Sequence, residues 1–344
     1  MTMKKMILTL ALMLLSTVIF AQSEEETLNK WIDTYSNLNA NKNWQEMITS
    51  FNQCISELPD WKFAYYYKGV AEFQTDNYQG AVADLTNFIS SNPEDKDALQ
   101  KAIMFRVLAF NKLGYSKQAI EDANTLLTMN ANNKEALLEK ANAYMALKEY
   151  SNYIETLKQV LNLEPNNADV CKNIAAAYAI GQDWANSITY YTKAIEINPN
   201  EASFYEDRAF ANYSMKTPEG LQNALADYTK AEELGIKTAK LYQYRATING
   251  MLNNFEKAIE DYNSYLSINA DDINIIYQRG NAYFKLKKYT ETIADMDKVI
   301  DNDNVQKNMK IQALQRRGAS KQALKDVKGA QADMELIKQL KGAK

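Results

Sequence analysis

Histidine is missing from all 344 residues, and cysteine occurs only twice. The first absence removes the commonest general base, the histidine triads and every metal site that needs imidazole. The second limits any disulfide framework to one bridge. Five prolines and eleven glycines supply few turns for an all-β fold, so a mostly helical chain is expected. Basic residues do not predominate. With 39 Lys and Arg against 43 Asp and Glu the net charge is −4, which lacks the basic footprint of a nucleic-acid partner. Phosphate-binding P-loops, GxGxxG and Ser-x-x-Lys motifs are absent too, so the expectation is a non-catalytic chain with no cofactor and no metal. Asp301, Asp303 and Asn304 briefly resemble a calcium loop, but Val305 and Gln306 stand where a ligand and the turn glycine belong.

One uncharged apolar run stands out, at the N-terminus. Lys4 and Lys5 precede Met6 to Phe20, and Ala21 follows as a small residue at which to cut. This is the layout of an export signal over residues 1–21, with cleavage expected between Ala21 and Gln22. The run is shorter than the roughly 18 to 20 residues that span a bilayer. A periplasmic or secreted protein with no stable membrane insertion after signal removal is therefore expected.

The prolines give the organisation away. Pro59, Pro93, Pro165 and Pro199 are separated by 34, 72 and 34 residues. Each follows apolar residues at helical spacing: Phe51, Cys54 and Ile55; Leu85, Phe88 and Ile89; Leu157, Val160 and Leu161; Tyr191, Ala194 and Ile195. Such spacing marks one face of a helix, and proline a turn later stops it. A second helical pattern lies upstream of each run. From Lys62 the sequence places Tyr65, Gly69, Tyr78, Ala81, Leu85, Phe88 and Pro93 at positions 4, 8, 17, 20, 24, 27 and 32 of a 34-residue frame.

In this pattern the chain resembles the tetratricopeptide repeat, whose signature is W-x2-L-G-x2-Y, then A-x3-F, then P. The units from Lys134, Ala168 and Ile273 repeat the match, with Tyr153 in place of the usual alanine in the first of these. Filling in weaker copies gives one array over 22–344, with units at 28–61, 62–95, 100–133, 134–167, 168–201, 202–238, 239–272, 273–306 and 311–344. Residues 96–99 and 307–310 are insertions before the third and ninth units, and three extra residues around Pro218 are expected to lengthen the turn inside the sixth. The resemblance implies an all-α solenoid, a right-handed superhelix of helix-turn-helix repeats, in which small residues at positions 8 and 20 let helices approach while large ones at 4, 11, 17 and 24 fill the core. Ser23 with Glu26 reads as a capping box for the first helix, and Lys328, Gln331, Lys338, Gln339 and Lys341 make the last helix polar enough to end the stack. Cys54 and Cys171 fall three whole units apart and are expected as buried free thiols.

The resemblance also implies where a partner binds. Positions 2, 5, 9, 12 and 13 of each first helix line a concave groove for extended peptides or partner helices. Here they offer Phe63, Tyr66, Val70 and Phe73, then Met104, Leu108, Asn111 and Lys112, then Leu138, Asn142 and Met145. An apolar strip of that kind marks a partner surface, unless the residues complete packing between adjacent first helices. Unit eight repeats the theme with Tyr277, Asn281, Phe284 and Lys285. The carboxylate clamp of some co-chaperones of the family is not matched, since Leu138, Ser203 and Asp207 occupy three of its five places. The expected function is an exported protein-binding scaffold. A holdase for unfolded clients and a self-assembling envelope component are the rival readings.

Overall fold

The computed structural model describes residues 24–342, so the export signal and Ser23 lie outside the described residues. Eighteen α-helices and no strand make up the described chain. It divides into two compact units between Pro165 and Asn166, at the end of the fourth expected repeat.

The first unit holds α1 (24–40), α2 (Trp44–Glu57), α3 (Phe63–Gln74), α4 (Tyr78–Ser90), α5 (Lys96–Leu113), α6 (Ser116–Met129), α7 (Lys134–Ala146) and α8 (Tyr150–Leu163). The second holds α9 (Ala168–Ile180), α10 (Trp184–Ile197), α11 (Ala202–Ser214), α12 (Pro218–Glu233), α13 (Ala239–Met251) and α14 (Phe255–Ile268). It ends with α15 (Ile273–Lys285), α16 (Tyr289–Asp301), α17 (Lys307–Ala323) and α18 (Val327–Gly342). Odd-numbered helices are the first of each repeat and even-numbered ones the second. Within each unit a helix packs on the next in sequence, and α3 also meets α5, α5 meets α7 and α15 meets α17. Each unit is thus a stack of helix pairs whose apolar faces are closed by the neighbouring pair.

Local chemistry sets the boundaries. Asn133, Asn167, Thr238 and Asp272 cap α7, α9, α13 and α15 by accepting from backbone N–H groups of the first turn. Inside every repeat the turn needs a left-handed residue at position 15. Only the third repeat uses glycine there, Gly114; Asp76, Lys148, Gln182 and Asn253 adopt positive φ in four others. The scarcity of glycine therefore coexists with many tight turns, each carrying a modest backbone strain. At position 8 the need for smallness is visible: a Cβ on Gly69 would fall 2.9 Å from Leu85 Cγ. The same replacement at Gly280 would strike Met296.

Two expectations are corrected. The insertions 96–99 and 307–310 form an added first turn of Lys96–Leu113 and Lys307–Ala323, and the three extra residues of the sixth repeat do not lengthen its turn. In the sixth repeat the turn keeps the three residues 215–217, and Pro218 opens α12 at its first position under a Thr217 cap. Proline suits that place because its missing N–H would have no helical partner anyway. The last helix is also less polar than expected, since Val327, Met334 and Leu336 are exposed on it. Cys54 and Cys171 are buried free thiols, and burial pushes the Cys54 thiol up to about 12.

Candidate functional site

A buried polar ladder, which sequence reasoning missed, joins the two helices of most repeats. In six repeats a basic residue at position 7 meets an aspartate on the second helix of the same repeat: Lys68–Asp84, Arg106–Asp122, Arg208–Asp227, Arg245–Asp261, Arg279–Asp295 and Arg317–Asp333. The arginine pairs contact their aspartates through both Nε and Nη2, the planar two-point grip that fixes orientation as well as distance. Hydrogen bonds to Asp295 raise the Arg279 guanidinium further above its usual range, so it stays charged. Nη1 reaches back to the preceding repeat, at Thr86, Thr192, Asn263 and Asp297 for Arg106, Arg208, Arg279 and Arg317. The signal was a basic residue with aspartate 16 positions later, or 19 in the sixth repeat, where the extra residues lie at the start of α12. In the fourth repeat Thr156 stands where the aspartate would be, and burial pushes Lys140 below its usual range.

The expected strip in the first unit is largely consumed by packing. Tyr66 is 9% exposed and belongs to the core with Phe88, whose ring lies 5.1 Å away. Phe63, Val70 and Phe73 are half-buried against the same cluster, and Phe73 meets Phe105 edge-on at 5.4 Å. Met104, Leu108, Leu138 and Met145 are half-buried. Asn111 Nδ2 donates to the Glu139 carbonyl and carboxylate, tying α5 to α7. Lys112 and Asn142 are the exposed members of the strip. The three consecutive tyrosines 65–67 have different surroundings: Tyr66 enters the core, Tyr67 stacks on Tyr35 at 3.8 Å, and Tyr65 lies under Lys62.

The second unit has a more open groove. Between α13 and α15, above α14, lies a cavity of about 440 Å³. Its floor is apolar, formed by buried Ala258, Tyr262, Ile275 and Ala282. Its rim is polar: Gln243 and Thr247 from α13 face Asn274, Gln278, Asn281 and Lys285 from α15. Met251, 54% exposed, and Phe255 close one end. The groove positions explain the lining, since Gln243, Thr247 and Asn281 occupy places 5, 9 and 9 of their repeats. Gly250 at place 12 has nothing within 4 Å of where a Cβ would be, which leaves the mouth wide. Asn281 Oδ1 accepts from Arg316 Nε at 2.9 Å and is thereby oriented. The side chains of Gln243, Asn274 and Gln278 hold no hydrogen bond among the described residues. Carboxamides offer a donor and an acceptor each, which is what an unpaired backbone requires. Tyr277 and Phe284 are engaged elsewhere, with Gln312 and Arg316.

Residues 135–167 match one tetratricopeptide repeat family model, and residues 168–201 and 273–305 match a second. The second model's segments begin where α9 and α15 begin, and the first model's begins one residue into α7. No curated protein matches the chain in sequence. Among solved structures the chain is similar to a tetratricopeptide repeat protein from Parabacteroides merdae ATCC 43184, at 19% identity and a TM-score of 0.48, covering 75% of this chain and 99% of that one. YrrB, described as a TPR protein with an unusual peptide-binding site, shares 16% identity at a TM-score of 0.47, over 55% of this chain and 94% of that one. MamA shares 20% identity at 0.45, over 49% and 90%.

Proposed function

Because the chain is a tetratricopeptide-repeat protein, we propose that it acts as a non-catalytic scaffold holding an extended segment of a partner protein in the cleft between α13 and α15. The cavity of about 440 Å³ carries this reading, through its apolar floor and its rim of unengaged carboxamides. A peptide lying along the cleft would set alternate side chains on Ala258, Tyr262 and Ile275, while Gln243, Asn274 and Gln278 bond its backbone. Such recognition reads shape and main chain more than sequence. No helix among the described residues is long and apolar enough to cross a membrane, and Lys4, Lys5 and the run Met6 to Phe20 support export as the route to the partner. In the first unit, half-buried Phe73 and Met104 are the anchor positions of a second strip.

The test is selection of displayed unstructured peptides on the full chain, followed by binding of the selected peptides to variants. Gln278→Ala with Asn274→Ala removes two hydrogen bonds worth about 1 kcal/mol each, so affinity should fall at least tenfold. Unchanged affinity would reject the cleft, and loss in Phe73→Ala with Met104→Ala instead would move the site to the first unit. Suppressed aggregation of many denatured clients, without peptide preference, would favour a holdase.

A further inference from the structure

Position 24 of the frame is buried in each of the first eight repeats, from Phe51 in the first to Met296 in the eighth. In the ninth the same place holds Met334, which is 57% exposed. Position 27 behaves alike: Phe88, Leu126 and Val299 are buried, whereas Ile337 is only half-buried. Inside a unit these residues are covered by the first helix of the following repeat, as α16 is by α17. The outer edge of α17 and α18 thus keeps the apolar chemistry of a stacking face that no helix among the described residues covers. A cavity of about 220 Å³ opens between α17 and α18 on this edge, lined by Leu314, Gly318, Ala330, Asp333, Met334 and Ile337 among others.

The charges on this edge say what fits. Thr86, Thr192, Asn263 and Asp297, all at position 25, accept from the position-7 arginine of the next repeat. Position 25 of the ninth repeat is Glu335, whose side chain is 60% exposed and pairs only loosely with Lys338 at 3.3 Å. A helix that fits this place therefore carries an arginine aimed at Glu335, with a small or apolar residue four before it and another three after it. Internal helices show the pattern as Ile275, Arg279 and Ala282, or Ala313, Arg317 and Ser320. The first helix of a second copy does not: α1 has Lys30, Thr34 and Asn37 at these places, with Lys30 and Asn37 exposed.

We propose that the outer edge of α17 and α18 is a docking surface for one amphipathic helix of a partner protein, recognised by an arginine bonded to Glu335 and small residues seated on Met334 and Ile337. Docking there extends the stack by one helix and leaves the cleft between α13 and α15 free, so the two sites are independent.

A labelled synthetic peptide of residues 307–323, which carries the pattern, serves as probe for the full chain by fluorescence anisotropy. Saturable binding is expected, at least tenfold weaker for the Met334→Glu chain and for a peptide with Arg317→Ala. Exchange of the charges, Glu335→Arg with Arg317→Glu in the peptide, should restore it. Because Met334 is exposed, an unchanged helical circular dichroism signal accompanies the loss. No binding, or equal binding by the Met334→Glu chain, overturns the proposal. So does a sedimenting dimer of the unaltered chain that Met334→Glu converts to monomer, which would make a second copy the occupant.

Discussion

Both units close their helix pairs on an apolar core, but the first adds a dense cluster of aromatic rings and the second a longer run of buried ion pairs. In the first, Phe51 sits among Trp31, Trp61 and Tyr67 with centroids 6.0, 6.4 and 5.5 Å away, and Tyr35 stacks on Tyr67. In the second, four consecutive repeats carry the arginine–aspartate grip, and Asn212, Asn249 or Lys321 adds a further donor to the aspartate in three of them. One repeat architecture is therefore reached by two routes. Ring packing supplies large apolar area with weak directionality, whereas a buried pair fixes register and gives little net stability because both ions are desolvated. The fourth and fifth repeats, on either side of the division between the units, have neither an arginine at position 7 nor an aspartate at 23: Lys140 and Thr156 in one, Ile174 and Tyr190 in the other.

The contrast can be broken from each side. Phe51→Ala empties a fully buried ring site and should cost about 3–5 kcal/mol, seen as faster amide exchange in α1 to α3 while α15 to α18 are unchanged. Arg279→Ala strands Asp295, which is 3% exposed, and should cost about 3 kcal/mol with the reverse distribution of exchange. A double change, Arg279→Met with Asp295→Leu, separates the mechanisms: near-recovery of stability is expected, since the pair itself contributes little. Equal losses for the single and double variants would show that the grip is a net stabiliser and that the two units do not differ in kind. Exchange of individual amides suits this chain better than a global melt, because neighbouring repeats can open separately.

The repeat frame was legible because prolines and large apolar residues recur at fixed places. Helices open on Lys134, Ala168, Ala202, Ala239 and Ile273, the first residues of the expected units. The ladder was equally periodic yet went unread, since Arg208 or Asp227 alone looks like an ordinary solvated charge and only their recurrence marks burial. The position-15 turns were hidden for the opposite reason. Lys148 and Gln182 carry no signature of a left-handed backbone, which the surrounding helices impose. For the groove, the positions implied by the family resemblance point to Phe63, Tyr66 and Phe73, but their exposure depends on how closely neighbouring first helices approach. The cleft is defined by spacing between α13 and α15 and by carboxamides, neither of which stands out in one sequence. At α18 the lysines and glutamines make the helix polar on average, which says nothing of the one face that carries Met334 and Ile337.

The subtlest difference within the ladder lies at position 11. There Asn212 and Asn249 donate from Nδ2 to Asp227 and Asp261 at 3.4 and 3.2 Å. The second repeat has Glu72 in that place, 5% exposed and facing Asp84, with Lys68 3.0 Å from Asp84 and 3.9 Å from Glu72. Two carboxylates and one ammonium cannot all be satisfied, but a protonated Glu72 can donate to Asp84 as the asparagines do. Burial first, and then Asp84, pushes the Glu72 carboxyl from the ordinary 4.5 up to about 7; Lys68 opposes the shift without cancelling it. A raised acid favours the folded state in its protonated form. Its contribution is therefore complete below about pH 4.5 and disappears as the pH rises through 7. Glu72→Gln supplies the donor at every pH, so protection of α3 and α4 amides should stop declining between pH 5 and 7 in that variant. The second unit, whose position-11 partners in the sixth and seventh repeats are asparagines, provides the control: its exchange, corrected for the intrinsic rate, should be the same in both proteins across that range. An unaltered decline in Glu72→Gln would mean that the proton resides elsewhere and that the second repeat is built like its neighbours.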